Sequence, residues 1–273
     1  MGKIFLYYRI LLRRNMMSLR MLAVLLVTAL VMDAFLRPVR EFCGMAGLDV
    51  SQWGFSLFWG NKYVGLTFML LFAYGASALT DDYKKEQCII GRIGREGWIT
   101  GQLLYQLTYG WLYAFFLCLL HLLLLSPVMR MEKGWGRGWG ILTDGMVGNE
   151  CGILLEIPYY IISNYRPVAA LVETLLLLGL TFGFLASLLL WMRFYGYVYG
   201  AIAASLLIFW SISMEIFGDR IYRFSPLSWI RLNRHYQLAH PLWPTTGYAA
   251  LMLILFTLLF FCLAKRKAVR IEV

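Results

Sequence analysis

Charge is what this sequence has least of. Asp, Glu, Lys and Arg make up 15% of its 273 residues, against about 25% in an average soluble domain. A soluble globular class is therefore excluded first. Acids are scarcer still, 15 against 25 Lys and Arg. Histidine occurs only at His121, His235 and His240, and no His-Glu-x-x-His pattern exists for a metalloprotease. The five cysteines, Cys43, Cys88, Cys118, Cys151 and Cys262, include no Cys-x-x-Cys pair, so a metal site has no support. The phosphate-binding pattern Gly-x-x-x-x-Gly-Lys-Ser/Thr is missing too. With no clustered nucleophile, acid and base, the chain is not expected to be an enzyme or to carry a cofactor.

What is abundant is apolar. Hydrophobic residues reach 60% and aromatics 16%, with ten Trp, a composition suited to a protein anchored at two membrane–water interfaces. Six runs approach the ~20 residues that cross a hydrocarbon core. They cover about 16–35, 62–79, 101–125, 167–191, the run after Gly196 to about Phe217, and 246–264. The expected fold is all-α and polytopic. A six-span domain fills 16–264 and a basic tail follows at 265–273. No cleavable leader is evident, because no small-x-small site follows the first apolar run. Residues 1–20 read as an interfacial amphipathic helix, with Ile4, Phe5, Tyr8, Leu11, Leu12 and Leu19 on one face and Lys3, Arg9, Arg13, Arg14 and Arg20 opposite. A basic flank extending the first span is the alternative.

Orientation follows from Lys and Arg. The N-terminal segment, the loop 80–98, the turn at Arg193 and the C-terminal tail hold 14 basic residues in roughly fifty positions. The other three loops, 37–62, 127–166 and 218–246, hold 11 in nearly twice that length. Both termini are thus expected in the cytoplasm and the protein in the plasma membrane. The excess of positive charge is assigned to anionic headgroups and topology, not to nucleic acid. All seven prolines fall in the outer loops or at span edges, none within a span.

Several residues invite a chemical reading, each with a plainer one beside it. Asp33, Glu173 and Glu215 lie closest to hydrocarbon, where a charge is costly; near the outer ends they read equally as interfacial residues or partners of arginines such as Arg37. His121, inside the third span, reads as a polar residue bonded to a neighbouring helix or as a proton relay. The small-residue faces Gly179/Gly183/Ser187 and Gly196/Gly200/Ala204 permit close helix approach, pointing to a tight hairpin of spans four and five or to a subunit contact. The Gly/Trp run at 134–140 reads as a tight aromatic loop at headgroup level. Cys43 and Cys151 are the two cysteines in outer loops, the compartment where a disulfide can persist; they are either bonded or two free thiols. Residues 80–98 mix both charge signs with Ile89, Ile90, Ile93 and Trp98, as a short helix docking a soluble partner would, or as a solvated topological loop would.

Taken in order, the basic helix, the six spans, the charged loop after span two and the aromatic loop holding Ser225-Pro226-Leu227-Ser228-Trp229 resemble the membrane subunit of a type-2 ABC exporter. The resemblance implies that the first inner loop contacts an ATPase. Ile89, Ile90 and Ile93 would be its anchors and Arg92, Arg95 and Glu96 its polar rim. It also implies a second permease subunit, identical or not, ATP and Mg held by the partner ATPases, and alternating-access export of a peptide, lipid or drug-like substrate. The long loop 127–166 departs from the simplest members. An ion- or proton-coupled secondary transporter is the main rival, and a membrane-embedded enzyme a third class.

Overall fold

The computed structural model describes residues 2–77, 83–144, 153, 155, 157–217, 219–235 and 243–270. Seven principal helices account for most of them: α1 (Gly2–Met16), α2 (Leu19–Ala46), α3 (Lys62–Ala76), α4 (Tyr83–Leu125), α5 (Pro167–Met192), α6 (Tyr197–Phe217) and α7 (Thr246–Arg270). The only strands among the described residues are two-residue pieces, β1 (Val50–Ser51) and β2 (Met129–Arg130), paired in parallel. The all-α reading holds. Four helices, α2, α4, α5 and α7, are long and apolar enough to cross a membrane. The apolar stretches of α3 and α6 are shorter over the described residues, and they occupy the positions expected for spans two and five.

Helix α5 is the centre of the bundle. Its sequence is apolar all round, which is the pattern of a helix enclosed by protein; 72% of its most apolar window is buried, against 17–33% in the other three long helices. It packs on α3, α4, α6 and α7. Pro167 opens it at the first helical position, where a missing N–H costs nothing. The glycines of α5 face α4. A Cβ on Gly179 would fall 2.6 Å from the Trp111 ring, and one on Gly183 3.1 Å from Leu107. Helices α5 and α6 pack on each other across a three-residue turn, with Gly200 of α6 beside Met192 and Leu189 of α5. Aromatic rings fill the remaining core. Phe72 stacks on Phe182 at 4.4 Å and on Tyr109 at 5.0 Å, and Tyr113 meets Thr28 across a 2.9 Å hydrogen bond. The α2, α3, α4 and α5 helices are joined there.

Caps fix several helix ends. Ser18 accepts a hydrogen bond from the Met21 amide to open α2, and Asn61 does the same for α3 through Tyr63. Helix α2 runs eleven residues beyond the expected first span, through Pro38 to Ala46. Pro38 therefore lies inside a helix, outside the apolar run but not in a loop as its residue type suggested. Helix α1 is present, but its packed stripe is Tyr7, Leu11 and Asn15. Phe5 is 63% exposed, so the face turned to the bundle is rotated from the one read off the sequence.

The described residues of the segments 37–62, 127–166 and 226–235 fold together at one end of the bundle. Trp139 Nε1 donates to the Ser51 carbonyl at 2.9 Å and Trp135 Nε1 to that of Tyr165 at 3.0 Å. Both rings are buried, so the Gly/Trp run is a tight aromatic loop whose rings turn inward and lock this end of the fold. Gly138 serves close approach: a Cβ there would lie 2.6 Å from the Asp49 carbonyl oxygen.

Helix α4 breaks at Gly94, whose φ of 75° and ψ of 161° form a region open essentially to glycine. The break divides a short limb, 83–93, from a long limb, 95–125. No atom lies within 4 Å of a Cβ built on Gly94 or on Gly91, so substitution there reports backbone alone. Gly94→Ala is expected to destabilise by about 1–3 kcal/mol, whereas Gly91→Ala, in regular helix, should stabilise by up to ~1 kcal/mol. Thermal unfolding of the two variants in one detergent checks the opposite signs.

Candidate functional site

The short limb meets the bundle through one acid. Glu86 is fully buried, and its carboxylate receives Arg193 Nη2 at 2.9 Å, Trp98 Nε1 at 3.1 Å and Gln102 Nε2 at 3.1 Å. Gln102 Nε2 also reaches the Tyr7 hydroxyl at 2.7 Å. The guanidinium of Arg193 lies over the Trp98 ring at 5.4 Å, which adds a cation–π attraction to the ion pair. The arginine side chain is 7% exposed and the glutamate 1%, so the pair is a desolvated one. Burial and the nearby Glu86 carboxylate push the Tyr7 phenol above its ordinary pKa; it remains a neutral hydroxyl.

Local sequence explains the convergence. Glu86, Ile90 and Ile93 recur at helical spacing and form the inward face of the short limb. Trp98 and Gln102, one turn apart, point from the long limb toward the same place. Arg193 sits in the tight turn between α5 and α6, closed by Gly196 at φ 131°. The four segments read from charge as lying on one side of the membrane thus share one end of the bundle. Arg95 Nη1 donates to the Val269 carbonyl at 2.9 Å, and Lys265 pairs with Glu96 at 3.4 Å, tying in α7. That last pair is exposed and contributes little.

The residues picked out as a docking surface divide in two. Ile89, Ile90 and Ile93 are half-buried and packed on the core. Arg92 and Glu96 are exposed, Arg95 is half-buried, and the outward face of the limb consists of Gln87, Cys88, Gly91 and Arg92. The sequence reading missed Glu86, Arg193, Trp98, Gln102 and Tyr7 as a unit. A usable signal was there: Arg193 is the sole base between two spans, and a buried base needs an acid.

The remaining singled-out residues are dispersed. Asp33 pairs with Arg37 at 2.8 Å and with Arg40, both on its own helix. One carboxylate oxygen of Glu173 is buried without a hydrogen-bond partner. Glu215 lies on α6, but its side chain is outside the described residues. Cys43 is buried, and Cys151 lies outside the described residues. His121 is wholly buried between the Phe55 and Phe58 rings, 5.6 and 5.5 Å away, with neither nitrogen hydrogen-bonded. Among the described residues no three His, Cys, Asp or Glu side chains gather to hold a metal. No family model, curated protein or solved structure matches the chain.

The Glu86 cluster bonds the short limb to the long limb of α4, to α1 through Gln102 and Tyr7, and to the α5–α6 turn through Arg193. Removing one member of a buried pair strands the other charge, at a cost of about 3–5 kcal/mol, while replacing both by apolar residues is close to neutral. Glu86→Ala and Arg193→Ala are each expected to lose stability on that scale, and Glu86→Leu combined with Arg193→Met to recover most of it. A double-mutant cycle on unfolding midpoints reads the coupling; additive losses would show the pair is not an energetic unit.

At the opposite end, His235 is buried with Nδ1 2.8 Å from the Pro244 carbonyl and Nε2 2.7 Å from that of Trp229. The two carbonyls favour the protonated ring, but burial is the larger influence and lowers its pKa. A folded-state pKa below the unfolded one gives stability that is full above about pH 6.5 and is lost as pH falls through the folded value. Acidification from pH 7.5 to 5.5 should therefore lower Tm, and His235→Gln should lessen the fall. A variant that falls as steeply as the parent would contradict this.

Proposed function

We propose that this chain is the membrane-spanning subunit of an ATP-driven exporter, with both termini and the short limb in the cytoplasm and with ATP hydrolysis on a separate subunit. The observation that carries this reading is the short limb itself: an exposed outer face on a helix that Glu86 fastens to α1, α4 and the α5–α6 turn. A partner that pushes on Gln87, Cys88 and Gly91 would move three parts of the bundle together, which is what coupling hydrolysis to alternating access requires. The half-buried isoleucines serve this arrangement by bracing the limb from behind.

Six crossings fit the same arrangement. Helix α3 has 15 residues and rises about 22 Å, short of a ~30 Å hydrocarbon core. The aromatic segment 55–61, which begins with the helical turn Phe55–Phe58 and is buried in the bundle, extends its path, and its non-helical residues are enclosed by protein as membrane depth requires. The substrate class remains peptide, lipid or drug-like, and a second permease subunit, identical or not, completes the transporter. A proton-coupled carrier is the second reading, favoured by the unpartnered His121 and the buried oxygen of Glu173.

Cys88 supplies the test, being an exposed thiol on the outward face. A photoactivatable reagent placed on Cys88 in native membranes should cross-link a protein that mass spectrometry identifies as a phosphate-binding-loop ATPase. Gly91→Glu, which loads the same face without touching the Glu86 cluster, should abolish the cross-link and the co-purifying vanadate-sensitive ATPase. Recovery of the full chain with no such ATPase, together with transport that survives ATP depletion but not collapse of the proton gradient, would establish the carrier instead.

A further inference from the structure

Between α1 and the short limb runs an apolar groove of about 390 Å³, lined by Leu6, Tyr7 and Ile10 on one side and Ile89 and Ile93 on the other, with Lys3 and Arg92 completing its wall. Its volume falls within the range of small-ligand clefts. Lys3 and Arg92 are exposed and no acid lines the groove. Phe5, Leu6 and Ile10 of α1 are 63%, 60% and 52% exposed, so the apolar floor continues onto a helix face that water would not tolerate uncovered. Two cations beside an apolar channel, at the end of a bundle that spans a bilayer, match the chemistry of one class of molecule.

We infer that the groove seats an anionic phospholipid, its phosphate between Lys3 and Arg92 and part of one acyl chain along Leu6, Ile10, Ile89 and Ile93. The charge pattern favours an acidic headgroup over a zwitterionic one, since each nearby cation adds attraction to a negative lipid and none to a neutral one. The seat joins α1 to the short limb on the side away from Gln87 and Gly91, so the lipid acts as a strut behind the limb. The inference requires only that the bundle sits in a membrane, and stands or falls separately from the exporter reading.

The test uses the full chain in neutral detergent, titrated with phosphatidylglycerol or phosphatidylcholine and read by native mass spectrometry. Phosphatidylglycerol is expected to bind in preference. Lys3→Gln with Arg92→Gln should weaken it on the order of thirtyfold. Arg9→Gln with Arg13→Gln removes the same charge from exposed positions of α1 outside the groove, and should change it less than about threefold. Ile89→Trp fills the channel without altering charge and should also expel the lipid. All substituted side chains lie at the surface or half-buried, and an unchanged unfolding midpoint verifies that each variant folds. Equal losses in the two charge pairs, no preference for the acidic lipid, or full retention by the Ile89→Trp variant would each overturn the assignment.

Discussion

A single desolvated ion pair organises one whole end of this molecule. Glu86 and Arg193 lie far apart in sequence, one in a limb before the third long run and the other in a three-residue turn. Removing either would leave the other a buried charge without its counter-charge. Because the glutamate also accepts from Trp98 and Gln102, the pair ties the short limb to the long limb across the break at Gly94. Tyr7 extends the same network to α1. The geometry of four segments thus converges on one carboxylate.

The bundle above it is held by a different means. With little polar surface to pair, the helices associate through shape: glycines that let Trp111 and Leu107 approach α5, and rings that tile the space between α3, α4 and α5. Dispersion and fit replace the hydrophobic driving force that lipid does not supply between helices.

Much of this was legible before any coordinates. Apolar runs announced the long helices, and density of Lys and Arg grouped the four segments that share an end. Those signals are local or cumulative, so one chain suffices to read them. Three things were not legible. The continuation of α2 past Pro38 is hidden because proline reads as a boundary, yet α2 carries Pro38 in its interior, as a helix packed on neighbours can. The rotation of α1 is hidden because Leu6 and Ile10 make its apolar arc wide, and only Gln102 and α4 choose which part is packed. The Glu86 cluster is hidden because its ion-paired members lie 107 positions apart, and nothing in a single sequence pairs them. Ile89, Ile90 and Ile93 show the same limit: their spacing reveals a face, but not whether that face meets this protein or another.

The lock between Ser51 and the tryptophans of 135–139 carries an implication for how the chain is made. Trp53 Nε1 donates to the carbonyl of Glu132, 79 positions on, and the stretch between includes all of α3 and α4. The residues 49–54 are therefore made two helices ahead of the groups they bond in the finished fold. The order in which the chain is synthesised, rather than the strength of any one contact, sets when this end of the protein can close.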